Sequence, residues 1–345
     1  MDLDFKIINP LQHKGWDHRV KQLPGASIFH SSGWTRTLFE SYGYKPQFLT
    51  LQSSDTISAL LPMMEVDSIL TGRRGVSLPF TDYCEPLISR EGSFEELYPL
   101  LIEHGRKSGW KYIELRGNND LFNDPDLIFS SYTGHVLKLT VGEEKLFSAF
   151  RSGTKHNISK ALHSGFRADV LQTPDALEEY YRLHCITRKK QGMPPQPIKF
   201  FRNLFRNIIS KDCGFVVLVS LNGRNVSGAI FLHFNKKAVY KYGASDIRFS
   251  NIGLGHLTVW TAIRWYANRG FESFCFGRTH PGNSGLNFFK LGWRPAEFSI
   301  NYWKYDLTKC AYMKSKGTSE HYRVFCKLPS IVSQCIGCLL YKHMG

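Results

Sequence analysis

The chain has 345 residues, 42% hydrophobic and 14% aromatic, with a formal net charge of +15. Such a composition excludes an intrinsically disordered chain, and the length suggests two domains rather than one. No lysine block accounts for the charge, so it is spread over a folded surface suited to nucleic acid, an anionic membrane or phosphate-bearing small molecules.

The first residues, MDLDFKIINP, carry no basic start followed by an apolar run, so the reading expects a cytosolic protein, at the inner face of the membrane if it touches one. LDFKII reads as a strand, WTRTLFESYG as a helix from about Ser32, and PQFLTLQ and ISALLPMMEV as adjacent strands. RRGVSLPFTDYCEPLIS is irregular. SFEELYPLLIEHGRKSG has helical spacing behind a candidate cap, Ser93, and feeds the strand WKYIELRG.

Two basic helical segments follow, EEKLFSAFRSG and TKHNISKALHSG, then the strand FRADVLQ and the helix DALEEYYRLHCITRKKQG. Three prolines in MPPQP force a loop before the helix IKFFRNLFRNIIS. GFVVLVSL, NVSGAIFLHF and KAVYKYGAS form a three-strand meander, and HLTVWTAIRWYANRG is a helix feeding the strand FESFCFG. The eight cysteines are scattered, with one CxxC in CIGC, and read as reduced thiols with no structural metal.

GWKYIELRG from Gly109 and GFESFCFGR from Gly270 echo each other, each placing glycine and an aromatic between a helix and a strand. The expected organisation is an α/β chain of mixed sheets with two similar domains, residues 1–140 and 141–310, facing a cleft, and a basic amphipathic tail, 311–345.

In the second half the element order resembles the GCN5-related N-acetyltransferase (GNAT) superfamily. There, a turn before a helix offers backbone N–H groups to a pyrophosphate. SNIGLG stands at the matching place, with Gly253 and Gly255 kept and Ser250 replacing the family's Gln or Arg. FFKLGW carries Phe288 where many such enzymes have a tyrosine acid, and keeps Lys290. That motif, together with FHSSGW, LPFTDYCEPL, RSGTKHNISKA and TRKKQGMPPQP in order, resembles the Fem-type aminoacyltransferases and their cellulose- and exopolysaccharide-associated relatives.

Acyl transfer to an amine needs a base, a cation for the oxyanion and oriented donors. Lys290, Arg278 and His280 could supply these, and the resemblance adds Asp82 as the group acting at the acceptor amine. Apolar flanks around Asp82 would raise its carboxyl toward a useful range. Arg151, Lys155 and Asn157 could hold phosphates, with Arg151 and Lys155 on one face if the helix is continuous, and Arg188 would add to that charge. Trp34, Arg36, Tyr83, Arg116 and Tyr242 complete the substrate-binding candidates.

The resemblance implies transfer of an acyl or aminoacyl group to a glycan or peptidoglycan precursor. The donor would be acyl-CoA or aminoacyl-tRNA, with no tightly bound cofactor and tRNA as a further partner. The competing reading is a non-catalytic module of the same fold that binds tRNA or a lipid-linked glycan. In the tail, Leu328, Ile331, Val332, Cys335, Leu339 and Leu340 fall at helical spacings near Arg323, Lys327 and Lys342. The stripe is too short to span a bilayer, and either packs on the core or lies at an anionic surface.

Overall fold

Turn residues and short apolar runs break the first hundred residues into small elements. The computed structural model describes residues 3–54, 56–89, 93–117, 124–315 and 324–345, apart from the side chains at 250, 251 and 324. The chain divides into two units, Met1–Thr133 with Ser299–Thr318 and Leu339–Gly345, and Gly134–Phe298 with Ser319–Cys338.

The first unit begins with β1 (Asp4–Ile8), α1 (Trp16–Lys21), α2 (Ser32–Tyr42), β2 (Lys45–Pro46), β3 (Phe48–Ser53) and β4 (Thr56–Leu61). It continues through β5 (Met64–Val66), β6 (Arg74–Val76), β7 (Leu87–Ile88), α3 (Phe94–Lys107) and β8 (Tyr112–Gly117). The expected single strand ISALLPMMEV is two: β4 pairs with β3 and β7, whereas β5 pairs with β2 and β6. Pro62 lacks the N–H needed to continue a ladder, so the chain changes sheets there. Leu49, Leu61, Leu97, Leu101, Trp110 and Trp303 are buried together under α3.

The second unit takes in β9 (Ser130–Lys138), α4 (Glu143–Ala149), α5 (Ser152–His163), β10 (Arg167–Leu171), α6 (Pro174–Lys190) and α7 (Ile198–Asn207). The meander is β11 (Gly214–Leu221), β12 (Arg224–Phe234) and β13 (Lys237–Ser245), followed by α8 (Leu254–Ala267), β14 (Ser273–Thr279) and α9 (Ser284–Leu291). The chain ends with β15 (Ala296–Asp306), β16 (Ala311–Tyr312), α10 (Val324–Lys327) and α11 (Ser330–Leu340). In this unit strands follow the order β10-β11-β12-β13-β14-β9, and in the first unit β15-β8-β6-β5-β2.

The echoed segments have the same local geometry. Gly109 and Gly270 both have φ of +69°, in the left-handed region that ends a helix at low cost. Each leads into a strand with a parallel neighbour, β8 beside β6 and β14 beside β13.

Candidate functional site

The meander explains why one end of the second unit's sheet opens. Between β12 and β13 the register slips, so that Ile230 faces Tyr242 while Phe231 faces Tyr240, and Lys241 is the extra residue. A bulge of this kind bends its strand and increases twist. Among the described residues the parallel ladder between β13 and β14 then holds only Lys237–Ser273, Ala238–Phe274 and Val239–Cys275, although β13 runs to Ser245 and β14 to Thr279. The two strands diverge, leaving backbone groups outside the ladder.

Lys290 takes up two of those groups. It lies on α9, is 2% exposed, and its Nζ donates to the Gly277 carbonyl at 2.8 Å and the Arg278 carbonyl at 3.0 Å. Gly277 has φ of +70°, a bend that a side chain would resist. Arg278 and His280 are exposed on the same turn. The ring Nδ1 of His280 accepts from the Gly282 N–H at 3.1 Å, so the side chain also shapes the turn into α9. Asn283 caps α9, its side chain accepting from the Leu286 N–H at 3.1 Å.

His135 on β9 was not a sequence candidate. It is fully buried, its Nε2 lies 3.0 Å from Oδ1 of Asn287 on α9, and its Nδ1 has no hydrogen-bond partner among the described residues. Burial, reinforced by the Lys290 cation, lowers its pKa. No local motif marks it, because β9 and α9 meet only in the folded unit.

Gly253 begins α8 with φ of +79° and no side-chain cap, so the first N–H groups of this 14-residue helix, beside the exposed Gly255, have no intrahelical partner. A Cβ on Gly253 would lie 2.5 Å from the Asn157 carbonyl oxygen, so this glycine is required by packing against α5. At Gly255 the nearest atom to a Cβ is Cε2 of Phe289 at 3.8 Å. The side chain of Ser250 lies outside the described residues.

Arg151 is the N-cap residue of α5, with a ψ of 146° outside helical geometry, so the helix that holds Lys155 does not include it. The expected single basic face is therefore broken. Arg151 places its guanidinium over the exposed Phe288 ring at 5.8 Å, and Lys155 Nζ donates to the Ser148 carbonyl at 3.0 Å.

Tyr242 packs in an aromatic cluster with His184, Phe200 and Phe201, and the Arg188 charge acts on Tyr180 and His184 beside it. Tyr242 packs 5.5 Å from Phe201, and His184 packs 4.9 Å from Phe201. Burial, with a contribution from Arg188, pushes His184 down to about 3.

In the first unit, Arg116 is a framework residue. Its Nε donates to Glu114 at 2.7 Å, a carboxylate that also receives Lys304 at 3.0 Å, and its Nη1 reaches the Leu78 and Thr81 carbonyls at 3.4 Å. Burial opposes the Glu114 charge, but the two cations outweigh it and hold the carboxyl at about 2. Arg116 thereby fixes the loop bearing Asp82 and Tyr83, in which Leu78 (φ +55°) and Phe80 (φ +60°) occupy a left-handed region unfavourable for bulky residues. The Asp82 carbonyl accepts from the Tyr302 hydroxyl at 2.6 Å.

Trp34 is wholly buried against Phe29 at 5.1 Å, which makes it a core residue. Arg36, two residues along α2, is exposed and lines a cleft of about 560 Å³ with His13, Lys14, His18 and Asp17. Asp17 accepts from the Ser32 N–H at 2.7 Å, which anchors one wall. Among the described residues no group of three or more His, Cys, Asp or Glu side chains could hold a metal.

Residues 148–290 match the acetyltransferase (GNAT) domain family. Among solved structures, the chain is similar to FemX, at 13% identity, covering 86% of this chain and 96% of that one, with a TM-score of 0.68. It also resembles the C-terminal domain of a putative lysylphosphatidylglycerol synthetase from Agrobacterium fabrum, at 14% identity, 83% and 90% coverage and a TM-score of 0.55. A tandem GNAT protein from the clavulanic acid biosynthesis pathway aligns at 10% identity, 92% and 100% coverage and a TM-score of 0.56. No curated protein matches the chain.

Proposed function

We propose that this chain, an acyltransferase with a GNAT domain at residues 148–290 and the fold of FemX, moves an acyl or aminoacyl group onto an amine or hydroxyl of a cell-envelope glycan or peptidoglycan precursor. The observation that carries the reading is the divergence of β13 from β14 beyond Val239 and Cys275. The stretch of β13 beyond its ladder with β14 can line an extended arm laid between the two strands, while the start of α8 offers N–H groups to phosphate. The donor is an acyl group on a phosphate-bearing carrier, acyl-CoA or aminoacyl-tRNA.

In the proposed reaction the acceptor's lone pair attacks the donor carbonyl, the carbonyl oxygen gains negative charge, and as the carbonyl re-forms the bond to the carrier breaks and the acceptor's N–H or O–H proton passes to the departing thiolate or ribose oxygen. Arg278, exposed at the end of β14, stabilises the oxyanion. Lys290 acts through the carbonyls it holds and sets the path of that strand end. In the first unit, the loop that Arg116 fixes carries Asp82 and Tyr83, and the cleft with Arg36, Lys14 and two histidines suits phosphates.

The engagement of Lys290 and Lys155 by backbone carbonyls favours one alternative, a binding module without turnover. Calorimetric titration separates the donors. Heat with acetyl-CoA that disappears in Gly255→Glu supports an acyl-CoA site at α8, whereas heat only with charged tRNA moves the donor to tRNA. Binding of neither donor would remove the reading.

A further inference from the structure

The C-terminal helix α11 faces two ways. Ser333 and Gly337, one turn apart, are its buried positions, and a Cβ on Gly337 would overlap the Pro195 carbonyl oxygen of the MPPQP loop. Small residues thus seat the helix closely against that loop. On the other side Ile331 is 75% exposed and Leu339 is 65% exposed, with Val332, Cys335 and Cys338 also exposed. The apolar stripe read from the sequence is therefore the outward face, and close packing uses the small residues opposite it. Arg323, which the sequence places near this stripe, lies outside the described residues.

We propose that this face of α11 is a peripheral docking surface for an anionic lipid bilayer. Lys327 and Lys342, both exposed, bracket the stripe at its two ends. Lys327 ends α10, ahead of the break at Leu328 and Pro329, and Lys342 follows α11 in a short 3-10 turn, so the two ammonium groups flank the stripe along the chain and can reach lipid phosphates while the apolar side chains enter the headgroup boundary. No helix among the described residues is long and apolar enough to cross a membrane, so the contact is in-plane.

Other occupants fit less well. Eleven residues of helix span about 16 Å, too narrow a strip for the roughly 800 Å² per partner of a stable protein interface. A second copy would bring another +15 charge and another pair of lysines against the first. An anionic bilayer offers the opposite charge, with about 1 kcal/mol gained per basic residue at its surface.

The inference stands apart from the proposed reaction, because its readout is partition and not turnover. The full chain is floated with phosphatidylcholine vesicles and with vesicles that also contain phosphatidylglycerol, at low and high salt. Wild type partitions onto the phosphatidylglycerol vesicles at low salt and is released by salt. Ile331→Ser with Leu339→Ser, both exposed and so neutral to folding, weakens partition at least about tenfold. Lys327→Glu with Lys342→Glu, which reverses the charge at both ends, weakens it by a similar factor at low salt.

On phosphatidylglycerol vesicles Cys335 is shielded from aqueous maleimide, while the exposed Cys310 keeps its rate. Equal flotation of wild type and the serine variant, no flotation at low salt, or an unshielded Cys335 overturns the proposal. So does a wild type that sediments as a dimer and becomes a monomer in the serine variant, which would give the face to a second copy.

Discussion

The Lys290 ammonium donates to the Gly277 carbonyl across 2.8 Å, tying a buried cation on a helix to a strand end that the neighbouring strand has left. That bond, with its companion to Arg278, makes Lys290 part of the frame of the site. Lys290→Met keeps the length of the side chain and removes both bonds. It lowers stability by about 1–3 kcal/mol and lowers kcat, because the turn carrying Arg278 loosens. Thermal melting beside steady-state kinetics checks this, and an unchanged melting temperature with unchanged kcat sinks it.

Gly253 and Gly255 separate packing from ligand binding. Gly253→Ala meets the Asn157 carbonyl at 2.5 Å from a left-handed backbone, and costs at least about 1–2 kcal/mol. Gly255→Glu meets Phe289 only at ordinary contact distance, leaves stability within about 0.5 kcal/mol of wild type, and abolishes donor binding by placing a carboxylate at the phosphate position. Equal melting losses in both variants would contradict the distinction.

Arg116→Ala leaves the Glu114 carboxylate buried with Lys304 as its remaining cation, and is expected to cost about 3–5 kcal/mol. Were Arg116 a substrate ligand with no framework role, KM would rise and denaturant unfolding would stay put. Unfolding is the readout that decides between them.

The pH dependence has a fixed sign. His256 and His184 are neutral in the fold, depressed to about 4 and about 3 chiefly by burial, and the unfolded chain takes up protons near 6.5. Stability present above pH 6.5 is therefore lost as pH falls toward those values. Glu114 adds a second loss between 4.5 and about 2, because its stabilisation vanishes as the folded carboxylate protonates. Denaturant melts from pH 7 to pH 4 are expected to show a decline that His184→Phe makes shallower, and parallel curves for the two proteins would refute the histidine part.

Periodicity made much of the fold legible. The meander β11–β13, the helix α8 and the strand β14 are where alternation and helical spacing put them, because each buries one face against its own unit. Elements carried by few residues were not readable: β6, β7 and β16 have two or three residues each and exist only because neighbours pair with them. FFKLGW marks Lys290 as a candidate, but its carbonyl partners are not readable in the sequence, since they depend on the divergence of β13 and β14. Trp34 read as a binding residue and is core, because an aromatic near a helix start looks the same in either role. His135, His184 and the Lys304 partner of Glu114 lie on separate elements and acquire meaning only from tertiary contact.

The most direct test of acyl transfer is the mass of the acceptor after reaction. Purified chain is incubated with a nucleotide- or lipid-linked peptidoglycan or glycan precursor and, in separate tubes, with acyl-CoAs or charged tRNAs. The account predicts that one donor adds one acyl or aminoacyl mass to the acceptor with wild type, and that Arg278→Ala reduces the rate at least about 100-fold while keeping its melting temperature. Binding of donor and acceptor with no mass gain under any pairing would contradict it and leave a binding module.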